Sequence, residues 1–548
     1  MSRRSSPCLT RKGCRAGCIA GAFRSSWEAL WPFEFGSRYY SDGPSAPHRL
    51  ILRTRQRLAL FLLAALAVSV HLHLSSNKFP DPDVFYHFRH AAIYAGGGLF
   101  SGEFPWIPYS VIGKFSSDIW YGFHVLLIPF AWAGDPLLAM RLAGIFVTAL
   151  CLFFVYLACL RLDIKPALLW PLFLLFSSAF LLHRLTMLRP HVLSLGLNVL
   201  LLALLAAGNI RGVFIAAFAC AWLHLSLSFV PVILLGVFVG TKLWTEKSLA
   251  WRESLALAGG LVAGWLFRPN PLGAARIAYV QVIQWTLEKL GGAPLEVGAE
   301  LRPLAIHSNY LAFIVLWSSS LLFLFWKSFR GHSQLPAAQR TVLYSAGMLS
   351  ALFFLLSVLF ARRAFDFCSG FGTVLIALVF TRFLFQVNWL RFGSLGLLGF
   401  LALYGISLRD TVLLASGWNA DRLAGAAKWI EANSEPGDIV FNVRWEYFSE
   451  LYFWNTKNHY TSGMDPIFQY AYEPELYRAG LSLAAPRRSA LCVSGNCADP
   501  YQVLKEGFKA RYVFLLKRAD TRTYLYLRSD RRFSLKSEDH ISAVFEVL

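Results

Sequence analysis

The chain has 548 residues, 56% of them hydrophobic, 16% aromatic and only 15% charged, with a mean hydropathy of +0.48. Soluble domains run at about 45–50% apolar and roughly 25% charged residues, so soluble multidomain, collagenous, disulfide-scaffold and disordered classes are excluded and a polytopic membrane protein remains. The net charge of +20 does not form one basic stripe: the Lys and Arg sit in tails and short connections, as the positive-inside rule places them, and no nucleic-acid partner is expected.

Residues 1–55 are polar and basic, with Arg3, Arg4, Arg11, Lys12 and Arg15 among many cations opposed only by Glu28, Glu34 and Asp42. They read as a disordered cytosolic tail, although a Ser/Arg-rich, acid-poor start also resembles an organellar transit peptide. The membrane region is expected over 56–410. Apolar runs fall near 56–75, 119–134, 138–160, 166–183, 191–207, 212–241, 254–267, 311–326, 341–361, 367–387 and 393–409. That pattern predicts eleven transmembrane helices, or twelve if 212–241 is two.

With 212–241 as one crossing, the loops carrying Arg184 and Arg189, Lys242 and Lys247, Lys327 and Arg340, and Arg382 and Arg391 fall in the cytoplasm. Arg161 with Lys165 and Arg362 with Arg363 are then exceptions on the outer side. Loops 76–118 and 269–310, and everything beyond 410, share that outer side.

The segment 420–548 reads as a small external α/β domain. A helix is predicted over 426–433, a turn at Glu435-Pro-Gly-Asp438, and strands at 439–443, 511–516, 524–527 and 543–548. Cys492 and Cys497 either close a short loop as a disulfide or remain free thiols.

The densest chemistry follows the first span: Asp81-Pro-Asp-Val-Phe-Tyr-His-Phe-Arg-His90. Asp81 and Asp83 are the candidate catalytic carboxylates, able to take a proton from an acceptor or to hold a hard divalent cation, magnesium or manganese, through oxygen. His87, Arg89 and His90 can neutralise or orient a phosphate. Arg189 and His191 at the start of one span, His224 within another and Asn270 in Arg268-Pro-Asn270-Pro are further binding candidates, because ionisable groups at membrane depth are costly to keep without a role. In the tail, Trp445, Glu446 and Tyr447 form a surface for stacking on a sugar or for docking the domain, and Asp465 follows in Gly463-Met-Asp-Pro466.

These motifs carry a resemblance. The Asp-Pro-Asp-x-Phe-Tyr-His-x-Arg run, Pro105 to Ser110, Phe115-Ser-Ser-Asp118, and in the tail Trp429-Ile-Glu-Ala-Asn433, Gly437-Asp-Ile-Val440, Arg444-Trp-Glu-Tyr447 and Asp465 resemble the GT-C superfamily of polytopic membrane glycosyltransferases, nearest to the oligosaccharyltransferase catalytic subunit and its bacterial relatives. The pattern departs where that subunit has Trp-Trp-Asp-Tyr-Gly and this chain has Arg444-Trp-Glu-Tyr-Phe448. The resemblance implies transfer of a sugar, with inversion, from a polyprenyl-phosphate-linked donor held among membrane lipid to an acceptor left open. It also implies a bacterial inner membrane or, less favoured, the endoplasmic reticulum. A glycolipid transporter or flippase, and a non-catalytic scaffold, are the rival classes. A transporter would concentrate polar residues at mid-membrane, whereas here they crowd one interface.

Overall fold

The computed structural model describes residues 47–99, 101, 103–306, 308–329, 335–384, 388–484, 492–493, 496–497 and 499–548. The basic tail therefore lies largely outside the described residues, and a helix already runs from Pro47 to Leu74. The protein is a multi-pass α-helical membrane protein with a small C-terminal α/β domain. The predicted apolar runs are mainly helical over their described residues, but 166–183 is broken at Ser177 and Ser178 into helices Leu169–Phe176 and Ala179–Leu185. Among the described residues, six helices are individually long and apolar enough to span a bilayer: Pro136–Arg161, Leu225–Glu246, Tyr310–Ser328, Ala337–Leu359, Ala364–Leu384 and Phe392–Ser416. A seventh candidate is the pair Ala179–Leu185 and Pro190–Ala206, bent by 107°; Leu58–Leu74, Tyr121–Ala131 and Ile210–Leu223 are shorter apolar helices.

Two further runs behave differently from their sequence reading. Tyr121–Ala131 has 11 residues, about 16 Å of helix at 1.5 Å per residue, against a hydrocarbon core of about 30 Å. It does not carry the chain across. The next helix starts again at the end where the first one finishes, with Arg141 donating to the carbonyls of His73 at 2.7 Å and Ser76 at 2.5 Å. The run 212–241 is two helices, Ile210–Leu223 and Phe229–Glu246, turning at His224 where Leu225 N–H donates to Ile119 O at 3.0 Å.

The loops around these runs lie at other ends than charge counting expects. Arg184 and Arg189, expected with the cytoplasmic loops, contact Asp81 and Glu300 instead. Lys165, expected on the outer side, donates its N–H to Thr381 Oγ1 at 3.1 Å, and Arg382 donates to Leu162 O at 3.1 Å. The Arg161–Lys165 connection therefore joins the basic loop at 382.

The helix layer is closed by small residues. Helices Ile210–Leu223 and Trp251–Leu266 approach so closely through Gly260 and Gly264 that a Cβ there would lie 2.4 Å from Phe214 O and 2.3 Å from Phe218 O, the small-xxx-small arrangement that lets backbones meet in lipid. Outward faces stay apolar: Leu395, Phe400 and Leu403 on one helix and Leu311, Leu322 and Phe325 on another are exposed, as lipid-facing positions must be.

The tail domain holds a five-stranded sheet with strands β1 (Ile439–Asn442), β2 (His459–Tyr460), β5 (Ala510–Leu516), β6 (Phe533–Glu538) and β7 (Ser542–Val547), ordered β2-β1-β5-β7-β6. β1 runs parallel to β2 and β5, and β7 is antiparallel to β5 and β6. Cys492–Val493 (β3) and Asn496–Cys497 (β4) form a separate antiparallel ladder; the side chains of Cys492 and Cys497 lie outside the described residues. The segment 524–527, predicted as a strand, belongs to helix Thr521–Ser529. Its buried pair Thr523 and Leu527 is spaced by four, the helical period. Phe441, Phe508, Val513, Leu515 and Phe545 build the core of the domain.

Three pieces meet at one end of the helix layer. Helix Phe448–Trp454 of the tail lies on helix Asp83–Ile93, with Phe453 against Phe85 and Tyr452 against Tyr86, ring centroids 5.5 and 6.1 Å apart. Trp106 Nε1 donates to Thr456 O at 2.8 Å, and Tyr460 N–H donates to Trp106 O at 2.7 Å. The loop 269–310 joins through Glu296 N–H to Tyr477 Oη at 3.0 Å and Tyr470 Oη to Glu288 Oε2 at 3.3 Å. Reporter fusions at Gly97, Gly291 and Leu548 are therefore expected to give the same, non-cytoplasmic signal. A cytoplasmic signal from Leu548 alone would contradict this packing.

Candidate active site

Pro82 keeps the residue before it out of helical conformation, so Asp81 stands just outside the helix that Asp83 begins. The same rule acts at Arg189, which precedes Pro190 and is extended (φ −134°, ψ 150°) with Pro190 opening the next helix. Residues 186–189 form the bend of 107°, which brings Arg184 and Arg189 to the end where Asp81 lies.

A single guanidinium gathers three carboxylates. Arg189 Nε and Nη2 donate to the two oxygens of Asp81, the second at 2.5 Å. Nη2 also lies 2.8 Å from Asp83 Oδ2, and Nη1 donates to Glu300 Oε1 at 3.0 Å. The other oxygen of Glu300 accepts from Arg184, whose Nε and Nη2 donate to Asp366 Oδ2 at 3.0 and 2.8 Å.

In front of this network opens a cavity of about 340 Å³. Asp83, His87, Arg189, His191, His224 and Asp465 line it, joined by Glu300, Arg363 and Asp366; Leu227, Phe229, Val282, Phe353 and Leu356 supply apolar lining. Burial is the largest influence on Asp83 and pushes its carboxyl up to about 7; Arg189 opposes the rise, while Asp81 and Glu300 add to it. Burial also lifts Asp465 to about 6 against the pull of Arg363. For Glu300 burial works against ionisation, but Arg189 and Arg184 together hold its carboxyl well below the usual glutamate range.

The other sequence candidates are placed elsewhere. Asp81 meets the cavity only through Arg189 and lines a separate small space with Phe79, Arg141 and Arg409. Arg89 donates to Thr456 Oγ1 at 3.1 Å in the seam with the tail. His90 stacks on Phe104 and His124, centroids 5.4 and 4.4 Å apart. Asn270, at φ 47°, caps helix Pro271–Tyr279 by accepting from Gly273 N–H and donates to Phe115 O, so its polar atoms serve the turn. Tyr447 Oη donates to Asp520 Oδ2 at 2.8 Å inside the tail domain. Trp445 lines a small cleft with Glu296, and Glu446 is exposed. From the tail, Met464 and Asp465 reach the cavity, not the Trp-Glu-Tyr surface.

Sequence reasoning missed Arg184, Glu300, Arg363 and Asp366. Asp366 carried a usable signal, an acid beginning an apolar span; Glu300 carried none, being one acid in a long loop. A divalent cation does not fit at Asp81 and Asp83, because the guanidinium of Arg189 already lies between them. His90, Asp118 and His124 form the one His/Asp group of metal-binding dimensions among the described residues. There Asp118 Oδ2 already accepts from His124 and from Tyr94 Oη at 2.6 and 2.9 Å, and the second nitrogen of His124 is bonded to His87 at 2.8 Å, so a cation would have to break this chain.

No protein-family model matches the sequence, and no curated protein sequence matches it. The fold does match solved structures. It is similar to the archaeal oligosaccharyltransferase AglB from Archaeoglobus fulgidus, solved with an inhibitory peptide and a dolichol-phosphate, with a TM-score of 0.59 and 14% identity over 86% of this chain and 70% of that one. It is also similar to ArnT from Cupriavidus metallidurans in the apo state (TM-score 0.51, 13% identity, 90% of this chain and 98% of that one) and bound to undecaprenyl phosphate (0.50, 12%, 92% and 99%). At these identities the likeness establishes a shared fold.

Removing one member of a buried ion network leaves its partners uncompensated, at a cost of roughly 3–5 kcal/mol. Arg189→Met is expected to lower stability in detergent by about that amount, read as a fall in Tm. Glu446→Gln, at an exposed site, is expected to leave Tm unchanged.

Proposed function

We propose that the protein is an integral membrane glycosyltransferase that moves a sugar from a polyprenyl-phosphate carrier to an acceptor at the non-cytoplasmic face, in a bacterial cell membrane or the endoplasmic reticulum. The observation that carries this reading is the composition of the cavity. A carboxylate, Asp83, and a guanidinium, Arg363, share it with an apolar lining suited to a prenyl chain. Arg184 and Arg189 are already paired to carboxylates, whereas Arg363 forms no ion pair among the described residues, which leaves its charge for a phosphate. The dolichol-phosphate and undecaprenyl phosphate bound in the two structural relatives support a carrier of this class.

The chemistry is a single displacement with inversion. As the acceptor O–H or N–H approaches the anomeric carbon, Asp83 takes its proton. The bond from that carbon to the phosphate oxygen breaks, and Arg363 holds the charge that collects on the departing polyprenyl phosphate. Arg189, fixed by Asp81 and Glu300, sets the position of Asp83. No step runs through a metal.

Detergent-purified protein assayed with a panel of polyprenyl-phosphate and polyprenyl-diphosphate sugars tests the reading. Asp83→Asn is expected to lower turnover on the order of 10²-fold or more, as loss of acid–base catalysis does, with donor binding retained. A double Asp81→Asn, Asp83→Asn variant with near-normal turnover would sink it. Because Asp83 must be deprotonated to act and lies near 7, kcat/KM should rise with pH through about 7. Arg189 opposes the elevation of Asp83, so in Arg189→Met that acid limb should move to higher pH; a limb that stays in place would remove Asp83 as the base.

A further inference from the structure

Four residues that line the cavity each carry a buried polar atom with no hydrogen-bond partner among the described residues: His191 Nε2, Asp366 Oδ1, Gln281 Oε1 and Trp285 Nε1. These residues are 8, 3, 8 and 5% exposed, in that order. A buried polar group left unpaired costs free energy, and native proteins keep few of them. Four around one cavity point to a bound molecule that completes their bonding.

The four come as two pairs. His191 and Asp366 each stand in the first turn of a helix, Pro190–Ala206 and Ala364–Val379. His191 Nε2 is 4.0 Å from Asp366 Oδ2, beyond hydrogen-bond reach, and that oxygen already accepts from Arg184. Gln281 and Trp285 belong to the loop at 269–310. They are four residues apart where the π-helical turn Val280–Gln284 runs into helix Trp285–Leu290, hence on one face, and single π-helical turns are frequent at functional sites. The Gln281 amide acts on Asp465 as a hydrogen-bond donor, which leaves Oε1 as its free end.

The chemistry of these atoms selects the ligand. Asp366 Oδ1 and Gln281 Oε1 can only accept, Trp285 Nε1 can only donate, and His191 Nε2 does either according to its tautomer. A phosphate diester has no proton to give, and a prenyl chain has no polar atom. Hydroxyl groups, which donate and accept at once, answer all four. Arg184 already compensates the charge of Asp366, so the free oxygen needs a hydrogen bond and not a counter-ion, while a second carboxylate brought to it would be repelled. Arg363, assigned above to the phosphate, stands three residues before Asp366 at the start of the same helix, so a sugar linked to that phosphate falls beside Asp366.

We propose that His191 and Asp366, together with Gln281 and Trp285, form the site that reads the hydroxyl groups of the donor's sugar, and that this sugar is neutral, not a uronic acid. This rests on the transferase reading above.

Equilibrium binding to the detergent-purified protein tests this without an acceptor. The probes are polyprenyl-phosphate glucose, mannose and galactose, their single deoxy analogues, polyprenyl-phosphate glucuronic acid, and polyprenyl phosphate itself. At least one neutral hexose donor is expected to bind about tenfold or more tighter than its deoxy analogues at two positions, and than the glucuronic acid donor. His191→Phe and Trp285→Phe keep a ring in place and delete one unpaired atom each. Each variant should weaken the preferred donor about tenfold, remove the discrimination against one deoxy position, different for the two variants, and change the Kd of polyprenyl phosphate by less than about threefold. Because neither atom has a protein partner to lose, Tm should hold or rise. A wild type that binds every neutral hexose donor no better than its deoxy analogues, or glucuronic acid donor as tightly as the best neutral one, overturns the inference. Variants that lose donor and polyprenyl phosphate alike, or that fall in Tm while still discriminating, would also overturn it, by making these residues packing groups. If the expected discrimination is found but no sugar is transferred to any acceptor, the transferase reading fails while the sugar site stands.

Discussion

Arg189 holds together segments that are far apart in the chain. Its guanidinium binds Asp81 and Asp83 from the first loop and Glu300 from the loop at 269–310, and Glu300 passes the contact on to Arg184 and Asp366. Buried ion pairs recover little net stability, because desolvation offsets their attraction, whereas removing one partner is severe. The network is therefore best understood as a register device: Arg184 and Arg189 meet all their carboxylate partners only when two loops and three helix ends are in place. The bend before Pro190 makes this geometry available by aiming both arginines at one end of the layer.

Much of this was legible from composition and spacing. The membrane class follows from hydropathy, and the cluster from Asp81 to His90 stands out because five ionisable groups crowd ten residues directly after a span. What could not be read were partnerships with no local signature. Tyr121–Ala131 looks like a span but is too short to cross, and 212–241 looks like one run because the turn at His224 contains neither Gly nor Pro. Charge counting consequently put Arg184 and Arg189 at the wrong end; their cationic side chains belong to buried carboxylates, not to the cytoplasmic surface. Asn270 and Tyr447 show the converse error. Both were polar residues in suggestive motifs, and both satisfy nearby backbone or carboxylate groups instead of facing the cavity.

The tail domain contributes through position more than through its motif. Aromatic contacts from Tyr452 and Phe453 fasten it to the helix that carries Asp83 and His87, and Ser449 Oγ lies 3.5 Å from Asp83 Oδ1. The turn that follows β2 then delivers Met464 and Asp465 to the cavity. A domain fixed this way supplies part of the cavity wall. Half-buried Trp445 is left at the cleft shared with Glu296, and Glu446 is exposed.

Under the transferase reading, the cavity must hold two anions at once, a donor phosphate and a deprotonated Asp83. Like charges brought together raise the carboxylate's proton affinity, and Asp83 is already pushed up by burial and by Asp81 and Glu300. A phosphate arriving without its own counter-charge would protonate the base it depends on. The division of arginines resolves this conflict. Arg189 stays with the carboxylates and keeps Asp83 from rising further, while Arg363, which acts on Asp465 and Glu300 without forming an ion pair among the described residues, compensates the phosphate. One arginine serving both anions would have to release one as the other bound; two separate guanidinium groups let the base and the leaving group be stabilised together.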